Sequence, residues 1–464
     1  MRKIIILFII ALSLQGFCQD NQLIEIPKVD KRVELLSIVF RLAGNREYND
    51  TRFKLYTDKI EQHFTPYKNH ELIKFAEKLR NESGISYDAV VSMAIHIDEN
   101  LNPRTDFTEN TLEGRWSKDD ADKFVKLLQS FYKEAKCEEF FKDNEDIYHE
   151  ATVRFLHVYD SLDPDWYSSF YGEKLSEKFI IIIGVGNGGN HYGVSFQISD
   201  SEKEVYAIMG AWDTDDSGMV DFDNNSYFPY LIHEFNHSFI NTLLDKNKVL
   251  FRNNGEKIME KLEDEMRAQA YANWETVLNE ALVRASVIKY LIDHDFNKTA
   301  IEVSLENEIS NSFLWIRELV GELEKYDTQR SLYPTLSSYM PKIAEAYNSY
   351  SETIIKFDAQ RPKVESVKEF VNGDLSVDAS IKTITIIFDM PLSGKGYSIF
   401  PGAKGQQALP SVSNISYTND NKSVVMEVQL LPDNEYQFIL TGKNFKTIEG
   451  HALKSYEVNF KTAK

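Results

Sequence analysis

Residues 230–242 read YLIHEFNHSFINT, and the rest of the chain is organised around this stretch. At its centre His233 and His237 are four residues apart, so on a helix both imidazoles leave the same face about one turn from each other. Histidines with this spacing are typical ligands of one zinc ion. Glu234 is the next residue round the helix from His233, so its carboxylate lies beside the metal ion and not on it. From there it can accept a proton from a zinc-bound water. The pattern predicts a helical zinc site.

The surroundings of the motif predict a largely buried helix. Pro229 stands just before it, where a helix tolerates proline. The alternative to a metal site is a pair of core histidines that only satisfy hydrogen bonds. Burying two histidines and a glutamate without partners is costly, and a metal ion removes that cost, so we favour zinc. The apolar residues of the helix are Leu231, Ile232, Phe235, Phe239, Ile240, Leu243 and Leu244.

The third zinc ligand has to come from elsewhere, because a catalytic zinc site has three protein ligands and one open position. Glu280 is the preferred candidate, since it lies on an apolar helical stretch where an unpaired carboxylate is costly. The alternative to metal binding is an ordinary ion pair between Glu280 and Arg284, four residues later. If Glu280 does bind the metal, Arg284 can still orient its carboxylate. The remaining candidates are Glu275, Glu263, Glu265 and His294.

The N-terminus has the pattern of an export signal. The basic residues Arg2 and Lys3 precede an apolar run from Ile4 to Leu14. We predict a signal peptide of residues 1–18, cleaved after Cys18, and a protein that is periplasmic, on the cell surface or secreted. Phe17 argues against a lipid anchor on Cys18, because a lipobox needs a small residue there. No later apolar run approaches about 20 residues, so we expect no membrane insertion after signal removal.

The amino-acid composition argues against some classes of binding partner. The 464 residues carry a formal net charge of −20, which argues against binding to nucleic acid or anionic lipid. Once the signal is removed, Cys137 is the remaining cysteine, so an intramolecular disulfide is excluded. The acidic balance otherwise bears on solubility and says nothing about the substrate; the expected partner, a peptide or protein substrate, follows from the motif.

Hydrophobic periodicity predicts an α+β architecture. Helical spacing before residue 160 predicts helices at Val33–Leu42, Leu72–Leu79, Tyr87–Ile97, Ala121–Tyr132 and Glu145–Tyr159. A small sheet is predicted from Phe179–Ile183, Tyr192–Ile198 and Val205–Ala211. More helix is predicted at Gly255–Tyr271, Ile301–Glu324 and Pro341–Phe357. After Arg361 and Pro362, short alternating strands predict an all-β sandwich over residues 362–464.

Two further motifs are interpreted as turns. Gly184, Gly186 and Gly189 match G-x-G-x-x-G after a strand, but the following residues alternate like a second strand and do not open a helix. We interpret them as a hairpin turn, with an edge strand beside the metal that can pair with an extended peptide. Residues 213–218 resemble the start of a calcium loop, but Asn224 stands where a bidentate glutamate is needed, so a solvated turn is favoured.

The motif residues 233–241 (HEFNHSFIN) and the following helix, WETVLNEALVRA at 274–285, carry a family resemblance. Together they resemble zincin metallopeptidases of the glutamate-ligand kind, and more closely the exported bacterial DUF4932 proteins. The resemblance implies a zincin-like metallopeptidase domain at 19–360, with His233, His237 and Glu280 as zinc ligands and Glu234 as base. Glu280 lies further from His237 than in the best-known glutamate zincins. Residues 387–391 (IFDMP) are similar to bacterial Ig-like modules.

The expected function is that of an exported zinc metallopeptidase, which hydrolyses peptide bonds by a zinc-activated water with a glutamate general base. The alternative is a catalytically silent zincin scaffold that acts in surface binding or adhesion. The reaction also needs a hydrogen-bond donor for the oxyanion. The sequence offers Tyr333, Tyr339, Tyr347 and His294 and does not choose among them.

Overall fold

The computed structural model describes residues 24–109, 111–174, 177–199 and 202–464, so the predicted signal peptide lies outside the described residues. The chain forms two compact units. The first contains the described residues up to 247 together with 279–307 and 316–341. The second contains 248–278, 308–315 and 342–464. Helices and small sheets together confirm the predicted α+β class. No helix in the described part of the chain is long and apolar enough to cross a membrane.

Local sequence signals explain where several helices begin and end. Ser117 precedes α5 and its hydroxyl accepts the N–H of Asp120, and Asp163 caps α8 in the same way. The third helix, α3, ends at Gly84, whose φ of +68° favours glycine. The helices are α1 Lys31–Leu42, α2 Lys54–Phe64, α3 Glu71–Ser83, α4 Asp88–Ile95, α5 Lys118–Glu134, α6 Cys137–Asp143, α7 Glu145–Tyr159, α8 Pro164–Tyr171, α9 Asn224–Ala268, α10 Trp274–Asp293, α11 Lys298–Ser310, α12 Ile316–Thr328 and α13 Leu336–Ala359.

Two helical predictions differ from the structure. The motif helix α9 begins earlier than predicted, at Asn224, so Pro229 lies inside it, and Leu262 interrupts its helical backbone. The predicted helix Ile301–Glu324 is two helices, α11 and α12. Ser312 lies between them with a φ of +70°, a conformation that ends a helix and that the hydrophobic period does not reveal.

The sheet of the first unit contains β1 Lys178–Gly184, β2 Tyr192–Ser199 and β3 Glu202–Gly210 in the order β1-β3-β2. The central strand β3 runs parallel to β1 and antiparallel to β2. Residues 24–28 pair with the outer side of β1. Within the described residues β2 has no strand partner on its outer side, so it forms an edge of this sheet.

The predicted glycine hairpin between β1 and β2 is wrong, because β3 lies between these two strands. The intervening loop instead folds back on itself and on α1. A Cβ at Gly184 would lie 2.6 Å from the Asn187 side chain, and one at Gly186 would lie 3.0 Å from the buried carboxylate of Glu34. Glycine is needed here for close approach rather than for a two-residue turn.

Aromatic packing fixes the motif helix against the sheet. Phe235 of α9 meets Phe179 of β1 edge to face at 4.9 Å between ring centroids. One turn later Phe239 stacks on Tyr171 of α8 at 4.3 Å. Tyr171 also donates its hydroxyl hydrogen to the buried Asn236. These contacts use the apolar face of the helix, so the histidines are left on the other face.

The β-strands of the second unit form two sheets that share one hydrophobic core. One sheet has the order β4-β5-β8-β7 and the other β10-β9-β6. The Tyr436 hydroxyl accepts the N–H of Leu431 at 2.8 Å, a contact that ties the chain just before β9 to that strand. The strands are β4 Val364–Val367, β5 Thr383–Phe388, β6 Ile399–Pro401, β7 Ser411–Thr418, β8 Ser423–Gln429, β9 Glu435–Leu440 and β10 Tyr456–Lys461.

The buried Arg361 connects helix and strands within the second unit. Its Nη2 lies 2.5 Å from Glu265 near the end of α9, and its Nε donates to the Ala452 carbonyl at 3.0 Å. The second unit therefore includes helical segments as well as the β-strands.

Candidate metal centre

Three side chains of the first unit converge as the sequence predicts: His233, His237 and Glu280. The two histidine Nε2 atoms are 3.1 Å apart. Glu280 Oε1 lies 3.4 Å from His237 Nε2, and Oε2 lies 3.7 Å from His233 Nε2. Ligand atoms at about 2.0–2.1 Å from a tetrahedral zinc are separated from each other by about 3.3 Å. The donor set and its spacing therefore fit zinc.

Helix geometry explains this convergence. Both histidines lie on one face of α9. Glu280 lies on α10, where its neighbours Val277, Ala281 and Val283 are buried. Side-chain exposure is 17% for each histidine and 13% for the glutamate, so water or a small ligand can reach all three. The four-residue spacing alone does not create this contact, since it depends on how α10 packs against α9.

The other candidates for the third ligand have different partners. Nε2 of His294 lies 3.1 Å from Asp163, and Glu263 pairs with Arg267 at 2.8 Å. Glu265 pairs with Arg361. Glu275 does not belong to the group of potential metal ligands found among the described residues. Of the proposed carboxylates, the structure brings only Glu280 to the two histidines.

The electrostatics suit metal binding. Burial, the neighbouring His237 and the charge of Arg284 hold the pKa of His233 well below its usual value, so its imidazole is neutral. Nδ1 of His237 lies 3.1 Å from the Asn241 Oδ1, which can accept its hydrogen. That bond selects the tautomer with a free lone pair on Nε2, the nitrogen that faces Glu280.

Glu234 is buried beside the three ligands. Burial raises the pKa of its carboxyl to about 7, and His237, the Gly193 backbone and Arg284 act in the opposite direction. Gly193 of β2 lies directly against it, because a Cβ there would be 2.5 Å from the Glu234 carbonyl oxygen and 3.1 Å from its Oε2. A carboxyl with a pKa near neutrality can both accept and return a proton.

The sequence analysis missed His191, which borders the centre. Its ring stacks on Tyr230 at 4.8 Å, one helical turn before His233, and its Nδ1 accepts the N–H of Gly210. Burial lowers its pKa to about 3, so the ring is neutral with its hydrogen on Nε2. Residue spacing did not indicate this position, because His191 lies just before β2 and reaches Tyr230 only through the packing of the sheet on α9.

Three of the four predicted oxyanion donors have polar partners of their own. The Tyr339 hydroxyl donates to Glu322 at 2.8 Å, and the Tyr347 hydroxyl accepts the indole N–H of Trp315. His294 contacts Asp163, as described above. Tyr333 packs edge to face on Tyr339 at 5.0 Å.

A groove of about 570 Å³ runs along the edge strand. One wall is residues 193–199 of β2. The other includes Ser92 of α4, His96 just after that helix, Leu112 and Glu113. Gly193 is part of this wall and also lies against Glu234.

The calcium-like loop is a turn, as predicted. Asp215 Oδ1 accepts hydrogen bonds from Ser217 and Met219, and its Oδ2 lies 2.6 Å from Arg154. An arginine on this carboxylate takes the place that a cation would need.

Comparisons with solved structures yield likenesses to surface layer proteins. The chain is 12% identical to the surface layer protein SbsC, domains 1–6, with a TM-score of 0.18. The match covers 53% of this chain and 34% of that one. For the N-terminal part of the bacterial S-layer protein SbsC, the identity is 12%, the TM-score 0.18 and the coverages 51% and 57%. The chain thus spans about a third to just over half of these proteins, and such TM-scores do not establish a shared fold.

No curated protein matches the chain. A family model does: the one described as "Domain of unknown function (DUF4932)" matches residues 25–346. This range contains both histidines, Glu234, Glu280 and the edge strand, and it covers more than half of the sequence. The chain therefore belongs to the DUF4932 family.

Proposed function

We propose that this protein is an exported zinc metallopeptidase that hydrolyses peptide bonds. The observation that carries the proposal is the convergence of two imidazole nitrogens and one carboxylate beside the buried carboxyl of Glu234. The group offers three protein ligands among the described residues, whereas a structural zinc takes four. Three ligands and an adjacent base are the composition of a hydrolytic centre.

The ligands would be His233, His237 and Glu280. A zinc ion held there would polarise the substrate carbonyl and make water more acidic. The chain's own residues do the proton transfer: Glu234 accepts a proton from the attacking water and passes it to the leaving nitrogen. Its pKa of about 7 suits both steps, since a group poised near neutrality gains and loses a proton with little cost.

The groove along β2 favours an extended peptide as substrate. An edge strand can bind an extended chain through backbone hydrogen bonds without regard to its sequence. The contact between Gly193 and Glu234 would bring such a backbone close to the base. The substrate class is thus a peptide or an unfolded segment of a protein.

The finer identities belong to the same proposal. The first unit would be a zincin-like domain, and the two sheets with a common core in the second unit would be an Ig-like module. The Tyr436 contact supports this, because a tyrosine that ties a corner of a β-sandwich is typical of such modules. Such a module acts in attachment or spacing rather than in chemistry.

The test combines metal analysis with a broad peptide library. Wild type should contain one zinc per chain, and His233→Ala and Glu280→Ala should lose it. Glu234→Gln should keep zinc and lose cleavage, because the amide cannot accept the proton. Stoichiometric zinc without cleavage of any peptide would favour a surface binding protein on a zincin scaffold. Absence of zinc from the wild type would refute the central claim.

A further inference from the structure

Arg284 places a cation at the candidate metal centre. It lies one helical turn after Glu280 on α10, so both side chains leave the same face of that helix. Its Nε is 3.4 Å from Glu280 Oε2, and the side chain is 18% exposed. The guanidinium therefore lies beside the Glu280 carboxylate, and part of the side chain is exposed to solvent.

Arg284 is ion-paired with the carboxylate that contacts both histidines. Glu280 Oε2 lies 3.4 Å from Arg284 Nε and 3.7 Å from His233 Nε2, and Glu280 Oε1 lies 3.4 Å from His237 Nε2. One carboxylate therefore separates the positive charge of Arg284 from the two imidazoles.

Peptide hydrolysis places new negative charge in that space. The water oxygen bonds to the carbonyl carbon, one water proton goes to Glu234, and the C=O electron pair moves onto the carbonyl oxygen. On collapse the C=O bond re-forms, the C–N bond breaks, and Glu234 returns the proton to the nitrogen. A fixed donor aimed at this oxygen strengthens as charge develops, which accelerates the reaction.

We propose that Arg284 is a catalytic residue that donates a hydrogen bond to the substrate carbonyl oxygen as its negative charge develops. This inference rests on the proposed peptidase function. It places the oxyanion donor on α10, the helix of Glu280, instead of among the tyrosines considered in the sequence analysis. A guanidinium presents several N–H groups in a rigid fork, so it can contact Glu280 and a second oxygen together. It also keeps its charge at any pH at which the protein is folded.

A merely structural role makes a different prediction. If Arg284 only orients Glu280, its loss lowers zinc affinity, and excess zinc restores full turnover. If it acts on the carbonyl oxygen, zinc affinity is retained while kcat falls. The two roles are therefore separated by measuring zinc affinity and kinetics on the same variants.

The experiment uses the full chain with Arg284→Gln, Arg284→Lys and Arg284→Ala. The control is Arg267→Gln, which breaks an exposed i,i+4 pair with Glu263 of the same type. We expect Arg284→Gln to keep zinc affinity within about threefold and KM nearly unchanged, and to lose 10²- to 10³-fold in kcat, about the loss for one oxyanion donor. Added guanidinium should partly restore Arg284→Ala, and Arg267→Gln should behave as wild type.

A second readout does not depend on turnover. A phosphinic pseudopeptide, built on the best library substrate, carries a charged oxygen where the carbonyl oxygen would be. Its affinity, measured by calorimetry, should fall in Arg284→Gln by about the same factor as kcat, while a product peptide binds equally well. If Arg284→Gln does not fold, Arg284→Lys serves, because it keeps the charge and loses the fork.

Each result decides between the claims. Wild-type kcat and pseudopeptide affinity in a zinc-loaded Arg284→Gln would overturn the role of Arg284 and leave the peptidase proposal intact. A loss that excess zinc repairs would overturn it in favour of a positioning role. A wild-type protein that binds zinc and cleaves no peptide would overturn the proposed function and this inference together.

Discussion

Replacing Gly193 by alanine tests the contact between the edge strand and the base. The added Cβ would lie 2.5 Å from the Glu234 carbonyl oxygen and 3.1 Å from Oε2. Ordinary van der Waals contact begins near 3.4 Å, so strand β2 and helix α9 have to separate by roughly 0.9 Å. Overpacking of this kind costs about 1–3 kcal/mol of stability.

The same displacement should impair catalysis more than metal binding. A shift of about 1 Å in a reacting group can reduce turnover by about 10²-fold. The nearest atoms to the new Cβ all belong to Glu234, so the three metal ligands are not pushed directly. We therefore expect Gly193→Ala to retain one zinc per chain, to unfold at lower denaturant concentration and to lose about 10²-fold in kcat/KM.

The matched control is Gly114→Ala, because a Cβ at Gly114 meets no atom within 4 Å. Denaturant unfolding, elemental analysis and peptide turnover would be measured on wild type and both variants. The reasoning is refuted if Gly193→Ala is as stable and as active as Gly114→Ala. Loss of zinc with unchanged stability would also contradict it, because the strain would then have reached the ligands instead of the base.

Three further predictions concern buried or hydrogen-bonded groups. Burial raises the pKa of Glu34 to about 8 from an ordinary 4.5, so wild-type stability should fall as pH rises between these values, by up to about 1.4 kcal/mol per pH unit; Glu34→Gln should remove that slope in denaturant titrations. Asn241→Ala should weaken zinc affinity by about tenfold or more in a competition assay with a chelator, because the His237 tautomer is no longer selected, and unchanged affinity would argue against this bond. Tyr436→Phe should destabilise the second unit by about 1 kcal/mol, since the N–H of Leu431 loses its acceptor, and an unaltered unfolding transition would contradict this.

Much of the first unit could be predicted because hydrophobic period reports local structure. The helices around Val33, Leu72 and Glu145 and the strands β1, β2 and β3 all appear near the predicted positions. Pairing order was not predictable from the same pattern, since each strand shows its own alternation whichever neighbour it has. The insertion of β3 between β1 and β2, and with it the failure of the hairpin interpretation, follows from packing between distant segments.

The candidate site likewise has a part that could be predicted from the sequence and a part that could not. His233, Glu234 and His237 are local to one helix, so their spacing alone determines that two imidazoles share a face and that a carboxylate stands next to them. Glu280 was one of several acidic candidates, and the contact between α9 and α10 brings it to the histidines. Residue spacing did not indicate that His191 and Gly193 lie against α9. These contacts exist because the sheet that contains the edge strand packs on that helix.

The sequence alone predicted the helix that carries the two histidines, the glutamate beside them and the change from helices to strands near residue 362. These are short-range properties, which follow from backbone periodicity and side-chain chemistry within a few turns. Only the tertiary structure decided that Glu280 is the carboxylate that meets the two histidines, and that Gly193 lies against Glu234. Such contacts join residues far apart in the chain, and their geometry depends on how whole helices and strands pack.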